Sequence, residues 1–190
     1  LLTFIPISFL HAQWNPTGNS TDWHNALNWA NGAVPTSSDD VTIIADANSI
    51  YIIADSMIEA KSITLKSLNS AVNVELNCVG ITLDGGLDVD SSSYILPNYN
   101  VNPALEFVPV IFQDDCQINL EDDGVNRLKL IIEETAEVKQ SGDIRQEKCI
   151  LEIKSGSFKT ENYELELYSI VVEPDSLLSN QSFYHYLYQL

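Results

Sequence analysis

From Asp40 onward the chain is a succession of short apolar-bearing runs cut by Gly, Asn, Asp and Ser. They are Val41–Ile44, Ile50–Ile53, Ser62–Leu65, Val72–Leu76, Ile81–Leu83 and Leu87–Val89. After a stretch carrying Pro97, Pro103 and Pro109 they resume at Ile118–Leu120, Leu128–Ile132, Ile150–Ile153, Leu165–Leu167 and Ile170–Val172. In Ser62-Ile63-Thr64-Leu65 and in Cys149-Ile150-Leu151-Glu152-Ile153-Lys154 apolar and polar residues alternate, so each strand has one dry and one wet face. Strands this short and closely spaced fit a sandwich, a barrel or a solenoid. Helix is confined to Trp23–Trp29, one or two turns at most.

Two features favour the solenoid. Hairpin turn chemistry is sparse. Leu128-Lys129-Leu130 is also echoed by Leu151-Glu152-Ile153, 23 residues on, within the range of one repeat unit. The reading is all-β: a single-stranded, right-handed parallel β-solenoid (β-helix), with a β-sandwich as the alternative. Val41, Ile43, Ile63, Leu65, Ile81, Leu83, Leu128, Leu130, Leu151 and Ile153 are then expected to face one elongated core.

Ahead of these runs stands a Trp-rich opening. Trp14 and a turn with Gly18 lead into Trp23-His24-Asn25-Ala26-Leu27-Asn28-Trp29-Ala30-Asn31-Gly32-Ala33-Val34-Pro35, then Asp39-Asp40 and the first strand. This W-x-x-A-x-N-W-x-x-G-x-x-P pattern resembles the opening of secreted bacterial β-solenoid surface proteins, similar to the passengers of autotransporter-associated β-strand repeat type. Near the other end, Ile153-Lys154-Ser155-Gly156-Ser157-Phe158-Lys159-Thr160-Glu161-Asn162-Tyr163-Glu164-Leu165 is similar to a rung of the same proteins. The resemblance covers about a fifth of the chain and fits least well between Leu96 and Asp123. It implies a cell-surface or secreted protein built from stacked rungs. Residues 13–39 are read as an N-terminal cap and 40–190 as rungs, with the series truncated. Trp14, Trp23 and Trp29 offer the apolar area such a cap needs; the rival role for them is an aromatic platform for sugars.

Leu1–Ala12 is apolar and too short to span a bilayer. It is read as the remnant of a secretory leader with cleavage after Ala12. No later segment has the length of a membrane span. Lys and Arg number 9 against 27 Asp and Glu, for a formal charge of -18. Such a surface repels phosphate backbones and anionic lipid, so nucleic acid and anionic membrane are poor partners; the resemblance to surface proteins implies surface glycans or other extracellular proteins instead. Cys78, Cys116 and Cys149 are too few and too scattered for a disulfide framework. They read as small buried apolar residues, with one bridge plus one thiol as the alternative.

Candidate sites are thin. Asp84-Gly85-Gly86-Leu87-Asp88-Val89-Asp90 is close to a calcium-binding nonapeptide, but Asp88 replaces the third Gly and the motif occurs once, so a plain turn is the simpler reading. Asp39-Asp40, Asp114-Asp115 and Glu121-Asp122-Asp123 are further acidic turns. A solenoid lyase would need Arg127 or Arg145 beside carboxylates in a groove, helped by Lys129 or Lys148. No spacing demands that. His24 and His185 stand without a nucleophile pattern nearby. No catalytic, cofactor or metal residue is therefore assigned. The expected function is a non-enzymatic β-solenoid module in adhesion or surface display, with a carbohydrate-active β-helix, binding or lyase, as the alternative.

Overall fold

The structure is a computed structural model that describes residues 11–15, 20–121, 126–133, 135–161, 163–173 and 177–179. It is all-β: a parallel β-solenoid of about six turns, with a single 3-10 turn among the described residues, Ala26–Asn28, where the short helix is expected. Turn by turn the strands are β1 (His11–Gln13); β2 (Asp40–Ala45), β3 (Ile50–Ile53) and β4 (Ile58–Ala60); β5 (Ser62–Ser67), β6 (Val74–Cys78) and β7 (Ile81–Leu83). Next come β8 (Leu87–Val89), β9 (Ser93–Pro97) and β10 (Val108–Phe112), then β11 (Cys116–Leu120) and β12 (Leu128–Ile132). β13 (Glu137–Gln140) and β14 (Ile144–Ile153), β15 (Ser157–Lys159) and β16 (Leu165–Val172), and finally β17 (Leu177–Ser179) complete the stack.

Three faces result. The first is an eight-stranded sheet in the order β1-β2-β5-β8-β11-β13-β15-β17; the second runs β16-β14-β12-β10-β7-β4; the third is β3-β6-β9. Every strand pairing is parallel, as it must be when each face receives one strand per turn of a chain winding one way. Register partners on the first face lie 20 to 24 residues apart. The exceptions are Ala12 to Val41, where the Trp-rich opening intervenes, and Leu87 to Ile118, a turn lengthened by the excursion 98–107 between β9 and β10.

Alternation along each strand becomes a column along the axis. Val41, Ile63, Leu87 and Ile118 stack in one inward column, Ile43, Leu65, Val89 and Leu120 in the next. On the second face Ile58, Ile81, Val110, Leu130 and Leu151 do the same. All ten residues expected to face the core are at most 1% exposed and belong to one hydrophobic cluster. The 23-residue echo needs correcting: Leu130 stacks on Leu151 and Ile132 on Ile153, a spacing of 21. The error is even, so it leaves the inward side chains inward.

Pro109, expected to interrupt the strands, lies inside β10. Val108 donates its N–H to the next turn, at Arg127 O, and Gln113 donates to the previous one, at Leu83 O. Pro109 therefore faces the previous turn, and pairing with β7 begins only at Val110, so its missing N–H breaks no registered pair.

At the N-terminal end the opening folds over the first turn. Trp23 donates its N–H to Ile53 O at 2.8 Å and Ile53 donates to Thr21 O at 2.8 Å, so the segment extends the free edge of β3. The Trp29 ring meets Trp14 and Trp23 edge-on at 5.1 and 4.8 Å, and its indole N–H donates to Trp23 O at 2.8 Å. Ala12 is fully buried in β1, stacked on Val41, so the expected cleavage point after Ala12 falls inside a strand. Phe4, Ile5, Phe9 and Leu10, like the tail 180–190, lie outside the described residues.

Candidate functional site

The acidic motifs resolve into corner fastenings. Asp90 accepts the Ser67 N–H at 2.5 Å through one carboxylate oxygen and the Ser92 N–H at 3.1 Å through the other. Asp115 accepts the Glu137 N–H at 2.8 Å, Asp143 the Glu164 N–H at 2.9 Å and Glu121 the Ser91 N–H at 3.3 Å. Each ties a turn to its neighbour by satisfying a backbone donor that the ladder leaves open at the corner. Asp39 accepts both the N–H and the hydroxyl of Thr36 at 2.8 Å. Asp84, Asp88 and Asp90 do not converge, and among the described residues no three His, Cys, Asp or Glu side chains are placed to hold a metal ion. Asp122 and Asp123 lie outside those residues.

Gly85 and Gly86 have a packing cause instead. A Cβ on Gly85 would lie 2.7 Å from Lys61 O, and one on Gly86 2.7 Å from Gln117 O. Backbone passes backbone there too closely for any side chain.

The basic residues serve the same stacking. Lys61 pairs with Asp40 at 3.2 Å, Lys154 with Glu133 at 2.9 Å and Lys129 with Glu152 at 2.5 Å; Lys159 joins Glu137 on the turn before. Lys139 and Lys159 together hold the Glu137 carboxyl below its ordinary range, and Glu133 raises the Lys154 ammonium above its own. Arg145 does meet two carboxylates, bonding to Glu164 and lying 3.7 Å from Asp143. It is 46% exposed at a corner, however, and lines neither hollow described below. Lys148 is exposed, and Arg127 lends its backbone N–H to Ile95 O at 3.3 Å.

One constellation is invisible in the sequence. His24 Nε2 lies 3.1 Å from Ser56 Oγ, and Asp22 Oδ1 lies 3.9 Å from His24 Nδ1. The types are those of a hydrolase triad, but the geometry is weaker. The Asp–His gap exceeds hydrogen-bond range, Asp22 Oδ1 takes the backbone N–H of His24 at 2.8 Å, and Met57 O also lies 3.4 Å from Nε2. The Nδ1 side of the imidazole is therefore not held by the Asp22 carboxylate as it is in a triad. Only register brings residues 32 apart in sequence together, which is why spacing gave no sign of it.

The Trp side chains are excluded as a sugar platform: Trp14, Trp23 and Trp29 are 7%, 1% and 2% exposed. Cys78, Cys116 and Cys149 are all free thiols, Cys78 and Cys149 fully buried. Burial pushes the Cys78 and Cys116 thiols up to about 12, and raises Cys149 as well.

What does present a surface is the outer side of the first sheet. Thr42, Thr64, Asp88 and Asn119 form one outward column, Gln117, Lys139 and Lys159 another. The Asn119 amide donates to Asp88 Oδ1 at 2.9 Å. A hollow of about 250 Å³ is lined by Ser62, Thr64, Asp88, Gln117, Asn119 and Ser141, among others. Gln117 and Ser141 also line a second hollow of about 480 Å³, with Lys139, Gln140, Glu161 and Tyr163. Alternation in the sequence marks Ser62 and Thr64 as outward; which residues of successive turns share a column depends on register, which the sequence does not show. No family model matches this chain, and neither curated proteins nor solved structures give a match to it.

Proposed function

We propose that this chain is a non-enzymatic extracellular module, a β-solenoid stalk in adhesion or surface display. The observation that supports this best is the unbroken first sheet. Eight parallel strands stacked turn on turn run the described length as one continuous sheet, with a continuous apolar core behind it. Such a stack is quasi-one-dimensional: each turn contacts mainly its neighbours, so stiffness and length come from repetition rather than from one closed core. Asp90, Asp115, Glu121 and Asp143 take backbone donors of neighbouring turns, and the lysines pair with other carboxylates, at Asp40, Glu133, Glu137 and Glu152, which is how a scaffold uses its charges. The Trp-rich opening and its resemblance to secreted surface proteins support the extracellular placing. Among the described residues no helix is long and apolar enough to cross a membrane.

The alternative, a carbohydrate-active solenoid, draws its support from the polar hollows. Two measurements test the proposal. Antibody against the chain, applied to intact cells that make it, is expected to label their surface or their medium; confinement to the cytoplasm would sink the extracellular reading. The purified chain, screened against neutral and acidic polysaccharides with calcium, and against ester substrates and a serine-directed fluorophosphonate, is expected to give no product and no label on Ser56. Release of unsaturated ends or reducing ends, lost on replacing Arg127 and Arg145, would make it a lyase or hydrolase. Labelling of Ser56 that depends on His24 would make it a serine enzyme.

A further inference from the structure

We infer that the two hollows on the first sheet are one groove that binds an uncharged, extended oligosaccharide along the solenoid axis. This rests on the adhesion reading and gives it a ligand class. The hollows are continuous through Gln117 and Ser141, and together they cross five successive turns, from Ser62 and Thr64 to Glu161 and Tyr163. At the strand spacing of a sheet, about 4.8 Å, that is a track about 19 Å long, room for several sugar units.

The chemistry of the track is that of hydroxyl recognition. Ser62, Thr64 and Ser141 offer groups that donate and accept, Gln117 and Asn119 carboxamides do both at once, and Asp88 only accepts. Tyr163, 38% exposed, adds an aromatic body at the far rim. A saccharide unit carries several hydroxyls, each able to donate and accept, which such a mixed row matches and a peptide's sparser groups do not.

Charge selects an uncharged chain. Asp88 and Glu161 line the groove, the whole protein carries -18, and Lys139 and Lys159 both pair with Glu137. An anionic glycan would meet net repulsion along most of the track.

Two further observations set the groove apart from an ordinary wet face. The Asn119 amide donates to Asp88, and a Cβ on Gly142 would lie 2.3 Å from Asn119 Oδ1, so only glycine there leaves the carboxamide where it is. Glu161, on the rim, is the one described non-glycine residue with positive φ, at 55°, a conformation that side chains avoid.

The test is calorimetric titration of the intact chain with cellohexaose, xylohexaose and mannohexaose, with hexagalacturonate as the acidic comparator. At least one neutral hexaose is expected to bind with Kd below about 1 mM. Asn119→Ala and Tyr163→Ala, both solvent-facing changes, are each expected to weaken it about tenfold with an unchanged circular dichroism spectrum and Tm. Gly142→Ala, which displaces Asn119 without removing it, should weaken binding too. The inference is overturned if no neutral hexaose binds at 1 mM, if hexagalacturonate binds as tightly, or if the folded Asn119→Ala and Tyr163→Ala variants bind unchanged. A chain found on the cell surface that binds none of the sugars sinks the groove and leaves the stalk; a sugar-binding chain confined to the cytoplasm does the reverse.

Discussion

Individual residues here answer to the turn above or below rather than to their neighbours in sequence. The thiols show it. Cys78 ends an inward strand and Cys149 stacks on Leu128, so both sit in the dry interior. The sequence reading of small buried apolar residues fits them, because alternation alone puts them inside. It fits Cys116 less well, since that side chain is only partly buried and stands beside Asp114 and Asp115, which help to raise its thiol to about 12. Burial favours the protonated form, so the folded values lie above the unfolded value of about 8.5. Stability from this source is fully present below about pH 8.5 and is lost as pH rises from there toward 12. Urea midpoints measured from pH 8 to pH 10 should therefore fall, and Cys78→Ala with Cys149→Ala should flatten that fall while lowering the midpoint at pH 7. At neutral pH a thiol reagent is expected to modify Cys116 first, leaving Cys78 and Cys149 until the chain unfolds.

At the scale of elements, legibility depended on the inward side chains rather than on strand length. β7 and β8, three residues each, carry a large aliphatic residue at both inward positions and are readable, and the inward set predicted from such runs is inward. β4 pairs Ile58 with the small Ala60, and β13 and β15 each carry a single apolar residue, Val138 and Phe158, too little pattern to see. β9 and β10 were hidden by prolines that sit where no ladder bond is lost. The third face was the least legible, because part of it is not strand. Beyond β9 the next turn supplies a side chain instead: Asn126 Oδ1 accepts the Ile95 N–H at 2.8 Å, buried, in place of a backbone carbonyl. Gln146 likewise reaches Glu121 O at 3.2 Å. Replacing Asn126 by Leu keeps the volume but leaves a buried N–H unpaired, which should cost about 1–3 kcal/mol in chemical denaturation. Asn126→Asp, which keeps an acceptor but brings a buried charge, is expected to lose stability mainly as pH rises above the carboxylate range.

For the whole molecule, the parallel solenoid was readable because every local choice agreed with it: alternation, turn residues, scarce hairpins and an apolar opening. The binding face was not, since a column exists only once the register of successive turns is fixed, and the one visible echo was two residues off. Stacked turns also make the ends special. Trp29 locks Trp14 and Trp23 over the first turn, so Trp29→Ala should cost about 3–5 kcal/mol. It should also uncover the free edges of β1 and β3, giving concentration-dependent association in sedimentation velocity that the parent chain lacks. Equal loss of stability without association would show that the three rings only fill space.

The spacing of 20 to 24 residues between register partners has a mechanical consequence. The ladder bonds between turns run along the axis, so tension on the two chain ends peels the outermost turn instead of shearing the whole stack. Each turn released frees about 22 residues, or roughly 70 Å of slack at about 3.3 Å per residue. A tether built this way yields in instalments under load: it lengthens, sheds the pull and keeps the remaining turns folded. Extension in an optical trap is expected to rise in nearly even steps of that size, with longer steps for the turn that carries the Trp-rich opening and for the one that carries the excursion 98–107.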